Sequence, residues 1–151
     1  DWLQVILGGV VIGLGDTIFA TMVWSSWDSA GFTRLFQTIA VGLLGKASYD
    51  GGTGAALVGV LSHFFIATMF VLTYALVSRR NPSLLGKPLV FGPLYGVLLY
   101  LIMNFVVLPI SRVGRFPSLQ HIDWIVLSIL AHMVFGVICV YFSRRALHWL
   151  G

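Results

Sequence analysis

The sequence has 151 residues, of which 58% are hydrophobic and 9% are charged. Because a soluble domain usually carries about 25% charged residues, this chain has too few to cover a surface that faces water. Its net charge of +4 comes from nine Lys and Arg residues that are scattered without a basic stripe, so nucleic-acid binding is excluded. The composition predicts an integral membrane protein with a single domain.

Four apolar stretches have the length of about 20 residues that a helix needs to cross a hydrocarbon layer of ~30 Å. Unpaired backbone polar groups are too costly in lipid, so each stretch is predicted to be helical. The expected fold is an all-α, polytopic transmembrane four-helix bundle. Its spans are predicted over residues 5–24, 55–77, 89–108 and 124–142, within one transmembrane domain of residues 1–151.

The first span contains Asp16. An ionisable residue inside a membrane span is costly and usually faces the interior of the bundle. We therefore interpret Asp16 as a neutral or hydrogen-bonded carboxyl, as a proton relay or cation site, or as a metal or other ligand group.

The connection between spans one and two contains an amphipathic segment. Apolar residues recur through it at three- and four-residue steps, at Phe32, Leu35, Phe36, Ile39, Leu43 and Leu44. Asp28 or Ser29 is a candidate N-cap and Gly45 a candidate stop, so a helix is predicted over residues 29–45. We expect this helix in the membrane interface, either as a connector over the end of the bundle or as a lid over a cavity.

Spans two and four each place a histidine in a stripe of small residues. The stripes are Gly59-x3-His63-x3-Ala67 and Ser128-x3-His132-x3-Gly136, and spans one and three share Gly9-x3-Gly13 and Gly92-x3-Gly96. This spacing predicts two helical hairpins related by a duplication, with a pseudo-twofold axis along the membrane normal. Shared packing needs explain the spacing equally well.

The two histidines are interpreted as groups that form hydrogen bonds between helices, with paired ligation of haem or a metal ion as the alternative. On the membrane face opposite the termini, the edge of each span is eight residues from its polar residue. This holds for Asp16, His63 and His132. Counted from the Ser-Arg-Arg ends of spans two and four, the histidines differ by about one helical turn. Asn104, near the end of span three, is expected to bond a neighbouring helix. These four side chains form the predicted intramembrane polar site.

Tryptophans mark the two faces of the membrane, because Trp prefers the headgroup level. Trp2 and Trp149 mark the face with both termini, and Trp24, Trp27 and Trp124 mark the other. Paired arginines at the ends of spans two and four favour a cytoplasmic location for the termini.

One set of segments resembles a group of small bacterial inner-membrane proteins without an assigned activity. The segments are Gly42-Leu43-Leu44-Gly45-Lys46-Ala47 through Gly51-Gly52, then His63-Phe64, then Met103-Asn104 to Pro109. The resemblance covers residues 5–145. It implies four helices and a bacterial inner membrane, and it implies no mechanism.

No motif indicates an enzyme class, since a serine–histidine–acid order, a paired-cysteine motif and an HExxH motif are all absent from the sequence. The leading interpretation is therefore a non-enzymatic structural or accessory component of a membrane assembly, with the bilayer and a homo-oligomer or larger complex as partners and no cofactor. One alternative is a small proton- or ion-coupled transporter that uses Asp16, by analogy with four-helix multidrug carriers that have an acid in the first span. The other is an electron carrier that binds haem or a metal ion at His63 and His132.

Overall fold

The computed structural model describes residues 1–23, 25 and 28–148. Within these residues the chain forms five helices and two short 3-10 turns, and no strand. The helices are α1 (Trp2–Val23), α2 (Ser29–Leu44), α3 (Gly52–Arg80), α4 (Pro88–Ile110) and α5 (Ile122–Leu147). The 3-10 turns, Lys46–Asp50 and Pro82–Leu85, precede α3 and α4.

Helices α1, α3, α4 and α5 are long and apolar enough to cross a membrane. This confirms the prediction of an all-α bundle with four membrane helices. All four helices begin before the predicted start of the span, and all but α1 also run past its predicted end. The difference is largest in α3 and α5, where the backbone stays helical through Arg79-Arg80 and Arg144-Arg145. A helix does not have to end where the hydrocarbon ends, so hydropathy understates its length. Trp24, Trp27 and Trp149 lie outside the described residues.

Both ends of the described chain lie on one face of the bundle, which we call the termini face. The amino group of Asp1 donates a hydrogen bond to the carbonyl oxygen of Ala146 at 2.8 Å. A cation beside the last carbonyls of a helix is favourable because those carbonyls carry partial negative charge. We call the opposite face, where α1 ends and α3 and α5 begin, the loop face.

Helix α2 begins and ends at the residues that the sequence indicated. The Asp28 carboxylate accepts a hydrogen bond from the backbone N–H of Gly31 at 2.6 Å, and it thus satisfies a donor that has no partner within the helix. At the other end Gly45 has a φ of +72°, which a residue with a Cβ rarely adopts.

The cap gives a first testable prediction. Asp28→Ala is expected to lower the free energy of unfolding by about 1 kcal/mol, because the Gly31 N–H loses its acceptor. Asp28→Asn keeps an acceptor oxygen and is expected to unfold like the parent protein. Thermal unfolding in detergent, followed by circular dichroism, compares the three proteins, and equal unfolding of the alanine variant would contradict the role of the cap.

The tightest packing lies in the half of the bundle near the termini face. Helices α1, α3 and α5 contact one another there, and α4 packs on α5. Val71, Cys139, Val140 and Ser143 have no measurable exposure in this region. Two tyrosines tie neighbouring elements together, because Tyr74 donates to the carbonyl of Leu84 and Tyr95 to that of Phe70, both at 2.8 Å.

The two helical hairpins, α1 with α3 and α4 with α5, use the same contact register. In each hairpin, the first glycine lies against the residue five positions after the histidine: Gly9 against Thr68 and Gly92 against Val137. The second glycine lies close to the histidine itself. Gly13 meets the ring of Phe64, one position after His63, whereas Gly96 meets the peptide group between His132 and Met133. Repetition of contacts in three dimensions supports the predicted duplication more directly than the spacing of small residues does.

Candidate functional site

The half of the bundle near the loop face contains a cavity of about 440 Å³. All four residues of the predicted polar site, Asp16, His63, Asn104 and His132, lie in its wall. They come from four different helices, and the bundle therefore brings together the side chains that sequence reasoning singled out. Most of the remaining wall is apolar and includes Ile12, Leu35, Ile39, Ile66, Phe70, Met103, Val107 and Phe135.

Asp16 and His63 face each other between α1 and α3. The His63 Nε2 atom lies 3.9 Å from a carboxylate oxygen of Asp16 and 3.0 Å from the carbonyl oxygen of Gly13. A carbonyl oxygen only accepts, so the hydrogen-bond network assigns a proton to His63 Nε2. Thr17 donates to the same carbonyl and lies 3.4 Å from the ring nitrogen. His63 is thus held by the backbone of α1, one turn before the acid.

The exposure of these two side chains differs. The His63 side chain is 12% exposed, packed edge-on against the rings of Phe36 and Phe64, whereas the Asp16 side chain is 35% exposed. Asp16 therefore presents carboxylate surface to the cavity, and His63 is mainly a supporting group behind it.

His132 lies on the opposite wall, on α5. Its Nδ1 atom donates to the carbonyl oxygen of Ser128 at 2.8 Å, which leaves Nε2 as the acceptor nitrogen of the neutral ring. Tyr100 and Phe135 pack against the ring edge-on, at centroid distances of 5.5 and 5.6 Å. These contacts fix the orientation of the imidazole at the cavity wall.

Asn104 lies in an irregular part of α4. The backbone over Met103–Val107 is a π-helix, and the Asn104 amide donates to the carbonyl oxygen of Tyr100 at 2.9 Å. A π-turn inside an α-helix widens the coil and is frequent at functional sites. Among the described residues, this bond to its own helix is the one that the Asn104 side chain makes, and the predicted bond to a neighbouring helix is not seen.

Helix α2 forms a wall of the cavity. Leu35, Thr38 and Ile39 line it from one side, and α2 packs closely on α3, where Gly59 lies against the carbonyl of Phe36. The carbonyl oxygen of Gly42 accepts a hydrogen bond from the backbone N–H of Arg112, just after α4. Helix α2 thus bridges α3 and the end of α4 beside the cavity, and both predictions for it, a connector and a lid, stay predictions.

The metal and haem interpretations gain little from this geometry. Among the described residues no group of three or more His, Cys, Asp or Glu side chains is placed to hold a metal ion. His63 would also have to give up its bond to Gly13 before Nε2 could bind a metal ion. Paired ligation by His63 and His132 therefore stays a hypothesis of the sequence.

Sequence reasoning missed the roles of two residues beside the histidines. The Thr17 hydroxyl lies 3.4 Å from His63 Nε2, and the backbone carbonyl of Ser128 accepts from His132 Nδ1. A threonine next to an intramembrane acid could have indicated the first. Ser128, which the sequence marked only as a small residue, acts through its backbone, and its side chain gives no signal of that contact.

Comparison with known proteins adds no assignment. No protein-family model matches the chain, and no curated protein and no solved structure gives a significant match. The resemblance to small bacterial inner-membrane proteins therefore stays a prediction, and function has to be argued from the cavity.

Proposed function

We propose that the protein is a small membrane carrier that binds an apolar organic cation in the cavity between its helices, with Asp16 as the counter-charge. The observation that carries the proposal is a partly exposed carboxylate in the wall of a largely apolar cavity. The volume of about 440 Å³ lies in the range of sites for small molecules.

Charge supports a cation rather than an anion. Among the described residues, Asp16 is the only acid in the cavity wall, and no Lys or Arg lines the cavity. The nearest side-chain nitrogen is His63 Nε2 at 3.9 Å, and its N–H already donates to the carbonyl oxygen of Gly13. A carboxylate in an apolar environment lacks the hydration that it would have in water, so a cation that reaches it gains a favourable partner.

The walls favour an apolar body on that cation. A polar solute such as a sugar would lose its hydrogen bonds to water and find few replacements, because aliphatic and aromatic side chains form most of the surface. An amine with a small aromatic or aliphatic group matches both features of the cavity.

Binding of benzyltrimethylammonium to the purified protein in mild detergent tests this proposal. The neutral isostere, neopentylbenzene, has the same shape without the charge. We expect the cation to bind and Asp16→Asn to weaken its binding at least tenfold, since loss of a charge pair at close range costs more than about 1.4 kcal/mol. We expect binding of the isostere to be weaker and the same in both proteins.

The matched control is Asp123→Asn, the same chemical change at an exposed acid in the first turn of α5, outside the cavity. Equal cation binding by the parent and the Asp16 variant would contradict the proposal. No binding of either compound would return the chain to the leading interpretation of the sequence, a structural component of a membrane assembly. An optical spectrum with a Soret band would instead favour the haem hypothesis.

A further inference from the structure

A second cavity, of about 300 Å³, lies between the first cavity and the loop face. We call it the vestibule. Its outer wall includes Pro117, Ser118 and His121 from the segment before α5, and Trp124 stacks on the His121 ring at a centroid distance of 4.1 Å. Ser118, His121 and Trp124 are exposed, so the vestibule begins at the surface of the protein.

The vestibule ends at the carboxyl group of the proposed site. Asp16, Ala20, Asn104 and His132 line both cavities, so the vestibule and the cation cavity meet at these four residues. Ser128 lies on the vestibule wall between the surface and His132. Polar groups therefore mark the way from the loop face to Asp16.

On the termini face, a separate cavity of about 380 Å³ is lined by Tyr141, Arg144, Arg145 and His148, and none of these residues lines the vestibule or the cavity at Asp16. On that side the space between the helices is filled by Ile12, Val71, Leu99, Cys139 and Val140, each less than 5% exposed. Ser143 is fully buried there, although it lies only about 6 Å along α5 from the last residue of the helix.

We infer that the vestibule is a one-sided aqueous route, through which water, protons and small hydrophilic cations reach Asp16 from the loop face while the termini face is closed. The inference rests on the proposed function for its purpose, because a carrier needs a route between its binding site and water. Its geometry is independent of the ligand. In this conformation Asp16 exchanges protons and cations only with the compartment at the loop face. A carrier that alternates between two open states requires such a conformation.

Accessibility of engineered cysteines tests the route. In a Cys139→Ala background, Ser128→Cys places a thiol in the vestibule and Ser143→Cys makes the same change in the closed half of the same helix. Position 128 lies about 9 Å along α5 from the first residue of the helix, whereas position 143 lies about 6 Å from the last residue, so position 128 is the deeper of the two. We expect a membrane-impermeant cationic methanethiosulfonate reagent to label position 128 at least tenfold faster than position 143.

The side of entry is measured in oriented membrane vesicles. Ser118→Cys, which is exposed, identifies the side of the loop face, and position 128 is expected to be labelled from that side only. Ile125→Cys, which also lines the vestibule, provides a second readout if the Ser128 variant fails to fold.

Protection of positions 125 and 128 from both sides, or labelling of position 143 as fast as position 128, would overturn the inference. Labelling does not require cation binding. A vestibule that reacts as expected in a protein that fails to bind benzyltrimethylammonium would therefore reject the proposed function and leave the route standing.

Discussion

Asp16→Asn is expected to reduce flux of benzyltrimethylammonium to the leak rate of protein-free liposomes. The purified protein is reconstituted, the labelled cation is trapped inside, and efflux is followed after a pH gradient is imposed. Transfer of a cation into a low-dielectric cavity costs several kcal/mol, which the Asp16 carboxylate offsets and an amide does not. Each loss of about 1.4 kcal/mol of binding free energy weakens cation binding tenfold. At low substrate concentration, even part of this cost leaves the cavity almost empty and stops transport.

Protons are expected to drive this flux by competing with the cation for the same carboxylate. The titratable groups around Asp16 are His63 from α3 and His132 from α5 in the cavity wall, with Tyr100 from α4 and His121 in the wall of the vestibule. Protonation of the carboxylate removes the charge that holds the cation, so lower pH on the side to which Asp16 is open favours release. In the Asp16→Asn variant, we expect the flux of the cation to be independent of the pH gradient.

The control for flux is again Asp123→Asn, which removes a negative charge near the loop face without touching the cavity. We expect it to transport at the parent rate. Unchanged flux in the Asp16 variant would remove this residue from the mechanism. A parent protein that binds the cation without moving it would be a binding or sensory component rather than a carrier.

The membrane helices and the limits of α2 could be predicted because their signals are local. Runs of apolar residues set the spans, and Asp28 and Gly45 mark the limits of α2 through a cap and a positive φ. Each of these features depends on a few neighbouring residues and on lipid or water around them. Packing against the rest of the chain does not alter them.

The sequence left open whether the residues of the polar site converge. Counting residues from the edge of each span placed Asp16 and His63 at one depth, and the ring nitrogen of His63 is indeed 3.9 Å from the carboxylate. The count from the Ser-Arg-Arg ends disagreed by one turn partly because this sequence ends α3 at Arg80 but lies two residues before the end of α5 at Leu147.

The remaining features depend on how the helices rotate and approach one another. Asn104 bonds its own helix within the π-turn over Met103–Val107, and no sequence rule located that turn. The position of α2 against α3 depends on the missing side chain of Gly59, whose significance becomes visible only when the Phe36 carbonyl lies against it. Such contacts are set by the whole bundle.

Gly136→Leu is expected to cause a large loss of stability, because α4 and α5 meet at this glycine. A Cβ at position 136 would overlap the carbonyl oxygen of Gly92 and would lie 2.7 Å from the backbone nitrogen of Gly96. Both atoms belong to the backbone of α4 and cannot rotate away as a side chain can. The helices must therefore separate, and they lose dispersion contacts along an interface that holds α4 in the bundle.

Overpacking of a protein interior usually costs about 1–3 kcal/mol, and a contact of backbone with backbone leaves the least room to relax, so we expect about 3 kcal/mol or more for leucine. Gly136→Ala is expected to give a smaller loss in the same direction, although alanine favours helix by about 1 kcal/mol. Gly54→Ala in α3 is the control, because a Cβ there meets no atom within 4 Å, and it is expected to be neutral or stabilising. Unfolding by a denaturing detergent ranks the variants. A leucine variant as stable as the Gly54 control would show that α4 is not held by this glycine contact, and the position of Asn104 in the cavity wall would then need another explanation.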